Sequence, residues 1–267
     1  MAVSFGLKPI LHQPVQRHDA PARRPFGCIG GFGLNRGDAR DIQMDPRHAV
    51  LNEPLQELSG GEAVLAWIAA QPWSSGKVGM IGISWGGFNG LQLAYRRPPE
   101  LQAVVSVAST ADRYADDIHY MGGCLLSDNA NWGSQMFAYM TRPLDPELRP
   151  DWRDAWLERI EKLPFMSADW LRHPSRDDFW KHGSVCEDWS AITAPVLAIT
   201  GWADAYLNTP AMLAANLTAP TKALMGPWEH RYAHISKLEA ADFHGEVLRW
   251  FDNWLKGAES GAEALPD

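Results

Sequence analysis

Apolar positions follow two different periods along this chain from residue 61 onward. Four short runs are mostly apolar, as is typical of strands buried on both faces of a parallel sheet: residues 77–83, 101–109, 194–201 and 221–226. Four further segments have helical spacing: residues 61–72, 87–97, 209–217 and 243–257. In the first helix we expect one buried side made of Val64, Leu65, Trp67 and Ile68. Strand, helix and strand at this spacing form parallel crossover units, so we predict an α/β fold, a mostly parallel sheet with helices on both faces.

The alternation of strands and helices is interrupted between residues 110 and 190. This stretch is rich in charge and holds six of the 13 tryptophans of the chain: Trp132, Trp152, Trp156, Trp170, Trp180 and Trp189. Within residues 150–163, apolar side chains recur at helical spacing. We therefore predict an α-helical cap at residues 110–190, inserted between two parts of the α/β domain at residues 61–109 and 191–257.

The two ends of the chain show less pattern than its middle. Residues 1–60 contain six prolines and no long alternating or helical run, so we predict no regular strand there. Residues 258–267 form a short polar tail that we expect to be frayed.

Composition and charge narrow the classes of partner. The net charge of -8 disfavours binding to a phosphate backbone, so we expect no nucleic-acid partner. The chain shows no signal-peptide core and no uncharged run long enough to cross a bilayer, which indicates a soluble cytoplasmic protein without a membrane partner. Its three cysteines, Cys28, Cys124 and Cys186, are far apart and odd in number, and we interpret them as reduced thiols.

A serine between two glycines lies where the first predicted strand meets its helix. Ser84, flanked by Gly82 and Gly86, matches the G-x-S-x-G nucleophile elbow, a turn so tight that neighbouring side chains would collide. The alternative is an ordinary glycine-rich turn, because the bare motif also arises by chance. With a strand before it and a helix after it, the nucleophile is the favoured interpretation, and the amino end of that helix favours negative charge nearby.

A serine hydroxyl needs a base, and the base needs a carboxylate that fixes its tautomer. Asp204 follows the third predicted strand and His230 follows the fourth, which gives the chain order Ser, Asp, His of α/β-hydrolases. Asp204 could instead be a turn former. His234, four residues after His230, could make a metal site with it, although Pro227 suggests a loop there. The other histidines do not follow a strand in the required place: His12, His18, His48, His119, His173, His182 and His244.

Several longer segments resemble one family of serine hydrolases. The stretches AQPWSSGKVGMIGISWGGFNGLQLA, YADDIHYMGGCLLSDNANWG, WKHGSVCEDWSAI, GWADAY and GPWEH are similar to the CocE/NonD, or X-prolyl dipeptidyl-peptidase-like, hydrolases. The resemblance runs from about Gly61 to Gly257 and implies a triad of Ser84, Asp204 and His230. It also implies hydrolysis of esters or amides, including acyl esters and X-Pro peptides, through an acyl-enzyme, with a small-molecule or short-peptide substrate and no metal or organic cofactor.

The chain departs from the family pattern at its two ends and at one oxyanion donor. The resemblance implies two donors, the backbone N–H of Trp85 and a tyrosine hydroxyl from an early loop, yet no tyrosine precedes Tyr95. It also implies strands before the elbow and a β-sandwich after the last helix. We therefore expect a chain truncated at both ends, with a frame shift before about Asn52 as one cause. The alternative function is an inactive hydrolase-like fragment or a binding module.

Aromatic side chains surround the expected triad in sequence. Trp202 and Trp228 each lie two residues before a triad member, and Trp132 lies in the cap, so we expect all three to contact substrate. Core packing is the alternative for each. Asp116 and Asp117 could attract a substrate ammonium, although a solvated face is the favoured interpretation for two adjacent acids on a helix.

Overall fold

A computed structural model of the chain describes residues 27–30 and 54–262. Its strands, in chain order, are β1 (Gly27–Gly30), β2 (Val78–Ile83), β3 (Leu101–Val107), β4 (Tyr120–Met121), β5 (Cys124–Leu125), β6 (Val196–Ala203) and β7 (Thr221–Glu229). Its α-helices are α1 (Pro54–Ala69), α2 (Trp85–Arg96), α3 (Asp128–Met140), α4 (Trp152–Lys162), α5 (Met166–Leu171), α6 (Asp178–Lys181), α7 (Thr209–Asn216) and α8 (Phe243–Lys256).

Five of these strands form one parallel sheet in the order β1-β2-β3-β6-β7. The four apolar runs identified in the sequence are its strands β2, β3, β6 and β7. In β3, Val104 and Val105 are both fully buried although they point to opposite faces, which is why the run shows no polar alternation. The predicted parallel sheet is therefore confirmed.

Helices cover both faces of the sheet and build two apolar cores. On one face, α1, α2 and α7 contribute Leu65, Leu91 and Leu213, all fully buried against Val104 and its neighbours. On the other face, α8 packs Trp250 and Phe251 against Val105 and Leu197. Burying each such side chain contributes about 1.5–3 kcal/mol, so the two cores together fix the helices on the sheet.

Between β3 and β6 the chain forms the cap, residues 110–190. It contains α3 to α6 and a small hairpin of β4 and β5 that the sequence did not predict. Its own core is aromatic: Trp180 is fully buried, and Tyr120 and Trp170 pack around it. The helical segment at residues 150–163 is confirmed as α4, but none of its residues is buried.

Three expectations about the two ends of the chain and the first helix are wrong. The segment Gly27–Gly30 is a strand that pairs with β2, and α1 begins at Pro54, inside the region for which no element was predicted. The side chain of Trp67 is 61% exposed because it lies about 200° around the helix from Leu65. In the described part of the tail, Ala262 is buried and the Ser260 hydroxyl donates to the Arg249 carbonyl at 2.6 Å, so residues 258–262 are not frayed. Residues 263–267 lie outside the described residues.

Strand β7 runs three residues beyond its predicted end. Pro227 was expected to begin a loop, yet it lies inside the strand. The strand is at the edge of the sheet, where a residue without an N–H can be accommodated. This extension brings the chain to His230 directly at the carboxyl end of β7.

Candidate active site

Ser84 occupies a strained turn between β2 and α2. Its φ of 58° and ψ of -122° are rarely adopted by a residue with a side chain, at a cost of about 1–3 kcal/mol. The Ser84 N–H donates to the Val107 carbonyl at 2.8 Å, which ties the turn to the end of β3. A Cβ on Gly82 would come within 2.3 Å of the backbone of Gly86, so the turn requires glycine at that position. This is the geometry expected of a nucleophile elbow.

Asp204 and His230 lie at the same edge of the sheet, immediately after β6 and β7. A hydrogen bond of 2.7 Å joins His230 Nδ1 to Asp204 Oδ2. The Asp204 side chain is fully buried, whereas that of His230 is 45% exposed. The other carboxylate oxygen, Oδ1, accepts the Tyr206 N–H at 2.8 Å. Asp204 is thus held on both oxygens, and His230 presents Nε2 away from it.

Ser84, Asp204 and His230 all line one cavity of about 870 Å³ between the sheet edge and the cap. The structure gives no hydrogen bond between Ser84 and His230, both of which lie within the described residues. Catalytic hydrogen bonds are often long before a substrate binds. The cavity therefore brings the three predicted residues together, with the acid and base in contact.

The predicted aromatic residues divide between the cavity and the rest of the molecule. Trp85 and Trp132 line the cavity. Trp202 does not, and its side chain is 65% exposed. Trp228 does not line it either and packs instead against the core under α8. Trp202 and Trp228 both lie inside strands, where side chains project from the faces of the sheet and not over its edge.

Asp116 and Asp117 are buried, so their interpretation as a solvated face is wrong. Asp117 lines the cavity and accepts the Tyr206 hydroxyl at 3.1 Å and the Ile118 N–H at 2.7 Å. Burial raises the pKa of Asp117 to about 7, although these hydrogen bonds and the charge of Arg113 oppose the shift. Burial also raises the pKa of Tyr206, with the carboxylate of Asp117 adding to it.

Two further cap residues that sequence analysis left aside line the cavity. The His119 ring packs at an angle against Trp170 and Trp180, and its Nδ1 lies 3.3 Å from Asn129 Oδ1. Burial lowers the pKa of His119 to about 4, so its ring is neutral at pH 7. Arg113 donates to the carbonyls of Phe179 and His182, which fixes its guanidinium beside the same aromatic cluster.

The candidate metal ligand His234 and the free cysteines lie outside this cavity. His234 packs against His244 with ring centroids 4.0 Å apart, and it does not line the cavity. In the described residues, no three His, Cys, Asp or Glu side chains are grouped to hold a metal ion. Cys124 and Cys186 are free thiols. His12, His18 and His48 lie outside the described residues.

No helix in the described part of the chain is both long and apolar enough to span a membrane.

A protein-family model and several curated proteins match this chain. The model of the X-Pro dipeptidyl-peptidase (S15) family matches residues 50–232. The cocaine esterase of Rhodococcus sp. (strain MB1 Bresler) is 26% identical over 202 residues, which cover 66% of this chain and 35% of the esterase. The chain spans between 35% and 50% of the length of the curated relatives it matches.

Solved structures share the fold. A CocE/NonD family hydrolase from Staphylococcus aureus superimposes with a TM-score of 0.61 at 21% identity, covering 79% of this chain and 34% of that one. An aminopeptidase from a marine sediment archaeon, Thaumarchaeota archaeon, gives a TM-score of 0.52 at 19% identity, covering 76% and 39%. These identities establish the fold alone. Because the family match takes in well over half of its residues, the chain belongs to the X-Pro dipeptidyl-peptidase (S15) family.

Proposed function

We propose that this chain is a serine hydrolase that cleaves ester or amide bonds with Ser84, His230 and Asp204 as its catalytic triad. One observation carries the proposal: the hydrogen bond between His230 and the buried Asp204, in the cavity that the strained Ser84 also lines. A buried carboxylate bonded to Nδ1 fixes the tautomer in which Nε2 can accept a proton.

In the proposed reaction, Ser84 Oγ attacks the substrate carbonyl while His230 Nε2 takes the hydroxyl proton. His230 then gives that proton to the leaving alcohol or amine, whose bond to the acyl carbon breaks. A water molecule attacks the acyl-enzyme, again giving its proton to His230, which returns it to Ser84 Oγ as the acid product leaves. Asp204 stays ionised and stabilises the imidazolium in both halves.

The oxyanion of each tetrahedral intermediate needs hydrogen-bond donors. We propose the N–H of Trp85, which follows Ser84 directly and opens helix α2. The amino end of a helix carries partial positive charge, which favours the developing oxyanion there. Removing one such donor costs about 10²–10³ in turnover, so the number of donors decides the rate.

The substrate is proposed to be a small ester, amide or short peptide. The cavity offers aromatic surface from Trp85, Phe88 and Trp132 beside the triad, which suits an apolar acyl group. The family and the name of the Rhodococcus relative favour acyl esters and X-Pro peptides. A cytoplasmic location and the absence of a nucleic-acid partner stay predictions of the sequence.

A second candidate function is a binding module with the same fold. It is favoured by the sequence, in which no tyrosine precedes Tyr95 to supply the second oxyanion donor that the resemblance implies. Such a module would hold the same ligands in the cavity without forming an acyl-enzyme.

A fluorophosphonate probe and a p-nitrophenyl ester separate the two functions. We expect the wild-type chain to be labelled once, at Ser84, and to hydrolyse the ester. Ser84→Ala should lose both properties, while Ser75→Ala, at an exposed serine outside the cavity, should keep them. Labelling that persists in Ser84→Ala would contradict the triad. A folded wild-type chain that binds the ester but is never labelled would favour the binding module.

A further inference from the structure

Two side-chain hydrogen bonds join the segment that begins with Asp204 to the entrance of the cap. We call residues 204–208, which follow β6, the acid loop. The Tyr206 hydroxyl donates to Asp117 Oδ1 at 3.1 Å, and Asn208 Nδ2 donates to Asp116 Oδ1 at 2.8 Å. Two neighbouring residues of the cap thus hold two alternate residues of the acid loop.

The acceptors are themselves fixed. The Thr110 hydroxyl, just after β3, donates to the Asp116 carbonyl at 2.8 Å, and Asp117 Oδ1 also accepts the Ile118 N–H. Asp116 and Asp117 are both less than 10% exposed. A buried, hydrogen-bonded acceptor of this kind restricts its donor more than a surface contact does. The acid loop is therefore attached to a rigid support.

Tyr206 also contacts both members of the acid and base pair. Its backbone N–H donates to Asp204 Oδ1 at 2.8 Å, and its ring lies against His230 with centroids 5.7 Å apart. One residue therefore touches the acid through its backbone, the base through its ring and the cap through its hydroxyl. A shift of this residue would move the acid and the base together.

We propose that Tyr206 is a positioning residue, whose hydroxyl, bonded to Asp117, holds the Asp204–His230 pair in the orientation needed to take the proton of Ser84. The inference rests on the triad of the proposed function. It extends that triad by a contact with the cap, so that cap and catalytic pair are coupled through one hydrogen bond.

The competing explanation is that the hydroxyl only stabilises the fold. A buried hydrogen bond stabilises the fold, and losing it lowers stability wherever it lies. A positioning role differs because it lowers kcat of the folded enzyme. Tyr114 offers a matched control, since its hydroxyl donates to the Pro174 carbonyl at 2.7 Å and its side chain does not line the cavity.

The first experiment compares Tyr206→Phe with Tyr114→Phe in the full chain. Both variants lose one hydroxyl and keep the ring. We expect Tyr206→Phe to lower kcat for p-nitrophenyl acetate about tenfold, because a small misplacement of reacting groups is costly. Tyr114→Phe should stay within about twofold of the wild-type kcat, although it too loses a hydrogen bond. Equal values of kcat in the two variants would overturn the proposal.

The second experiment tests the partner of the hydroxyl. Asp117→Ala should lower kcat as Tyr206→Phe does, whereas Asp117→Asn keeps an oxygen acceptor and should restore most of it. The double variant Asp117→Ala/Tyr206→Phe should be no slower than either single variant, because both remove one interaction. Additive losses of kcat would show that the two residues act separately, against the proposal.

A spectroscopic measurement keeps the inference testable if the chain proves inactive. The His230 Nδ1 proton, shared with Asp204, should give a downfield proton resonance in the wild type and in Tyr114→Phe. In Tyr206→Phe it should broaden or shift as the pair loosens. Absent labelling and hydrolysis in the wild type would contradict the proposed function, while an unchanged resonance in Tyr206→Phe would contradict the positioning role.

Discussion

The elbow at Ser84 and the acid loop at residues 204–208 both deliver a side chain to the cavity, but different forces hold them. The elbow is held by its own backbone: Gly82 and Gly86 are in contact, and the Ser84 N–H bonds to the neighbouring strand. The acid loop is held by side chains from the cap entrance, 89 and 92 residues away along the chain. A local turn and a long-range attachment should therefore respond differently to substitution.

The two regions should tolerate different kinds of substitution. The elbow has no space for an added atom at Gly82, so its shape is fixed by exclusion. The acid loop is exposed to solvent at Ala205, Leu207 and Asn208 but depends on its polar partners. A buried polar group that loses its partner costs about 1–3 kcal/mol. We expect small changes of volume to damage the elbow and small changes of hydrogen bonding to damage the acid loop.

Asp204→Asn is the sharpest test of the acid loop. The amide has the shape of the carboxylate but can donate a proton to His230, which favours the wrong tautomer, and the imidazolium loses its counter-charge. We expect kcat to fall about 10⁴-fold with the fold retained, as in other triads. The measurement is ester hydrolysis alongside circular dichroism. A fall of less than about tenfold would mean that another carboxylate supports His230.

Gly82→Ala is the corresponding test of the elbow. The new Cβ would lie 2.3 to 2.7 Å from three backbone atoms of Gly86, so the turn must open by about 1 Å. A displacement of that size costs about a hundredfold in turnover, and overpacking costs about 1–3 kcal/mol of stability. Fluorophosphonate labelling rate and urea unfolding measure the two effects.

Gly60→Ala is the control for this substitution. Gly60 lies in α1 with nothing within 4 Å of an added Cβ, so the same change should leave labelling intact and raise stability by up to about 1 kcal/mol. If Gly82→Ala behaves like Gly60→Ala, the elbow is not held by exclusion.

The same contrast explains which parts of the molecule could be predicted from sequence. The elbow could be predicted from residues 78–90 alone, because an apolar strand, two glycines and a helix follow each other there. Asp204 and His230 could be predicted as triad candidates because each follows a strand, and parallel strands end at one edge of the sheet. These local patterns also predicted the fold class and the helices on both faces of the sheet.

Contacts between distant segments could not be predicted in this way. Burial of Asp117 and its bond to Tyr206 depend on how the cap folds back on the sheet, so adjacent acids were interpreted as a solvated surface. Trp202 and Trp228 were assigned to the cavity from closeness in sequence, although strand geometry directs them elsewhere. The strand at Gly27–Gly30 is too short to show alternation, and its existence depends on pairing with β2.

Asp117→Asn tests the electrostatic cost of the long-range attachment. The folded pKa of Asp117, about 7, lies above its ordinary value of 3.8, because burial disfavours the carboxylate. The folded state therefore keeps a proton that the unfolded state releases between pH 4 and 7, and wild-type stability falls as pH rises through that window. The asparagine variant lacks this loss. We expect it to be more stable than the wild type by up to about 4 kcal/mol above pH 7, with the difference vanishing near pH 4.

Urea unfolding at several pH values between 4 and 8 measures this difference. The groups facing Asp117 are Arg113, Tyr206 and Asp116, and all three are unchanged in the variant. Asp154→Asn, on the exposed surface of α4, controls for the loss of one negative charge. A wild-type chain that gains stability relative to Asp117→Asn as pH rises would show that Asp117 is ionised at a net benefit.

The smallest expected effect concerns the aromatic wall of the cavity, and it separates a cap contact from a residue that is near only in sequence. Trp132 lines the cavity, whereas Trp202 lies two residues before Asp204 but projects into solvent. Burying an apolar acyl group against an aromatic ring contributes about 1–2 kcal/mol, so Trp132→Ala should raise KM for p-nitrophenyl butyrate about tenfold with little change in kcat. Trp202→Ala removes the same side chain and should leave kcat/KM within about twofold of the wild type, because it removes no contact that the substrate makes. If instead Trp202→Ala raises KM and Trp132→Ala does not, the substrate enters along the face of β6, and the cavity under the cap is not where the acyl group binds.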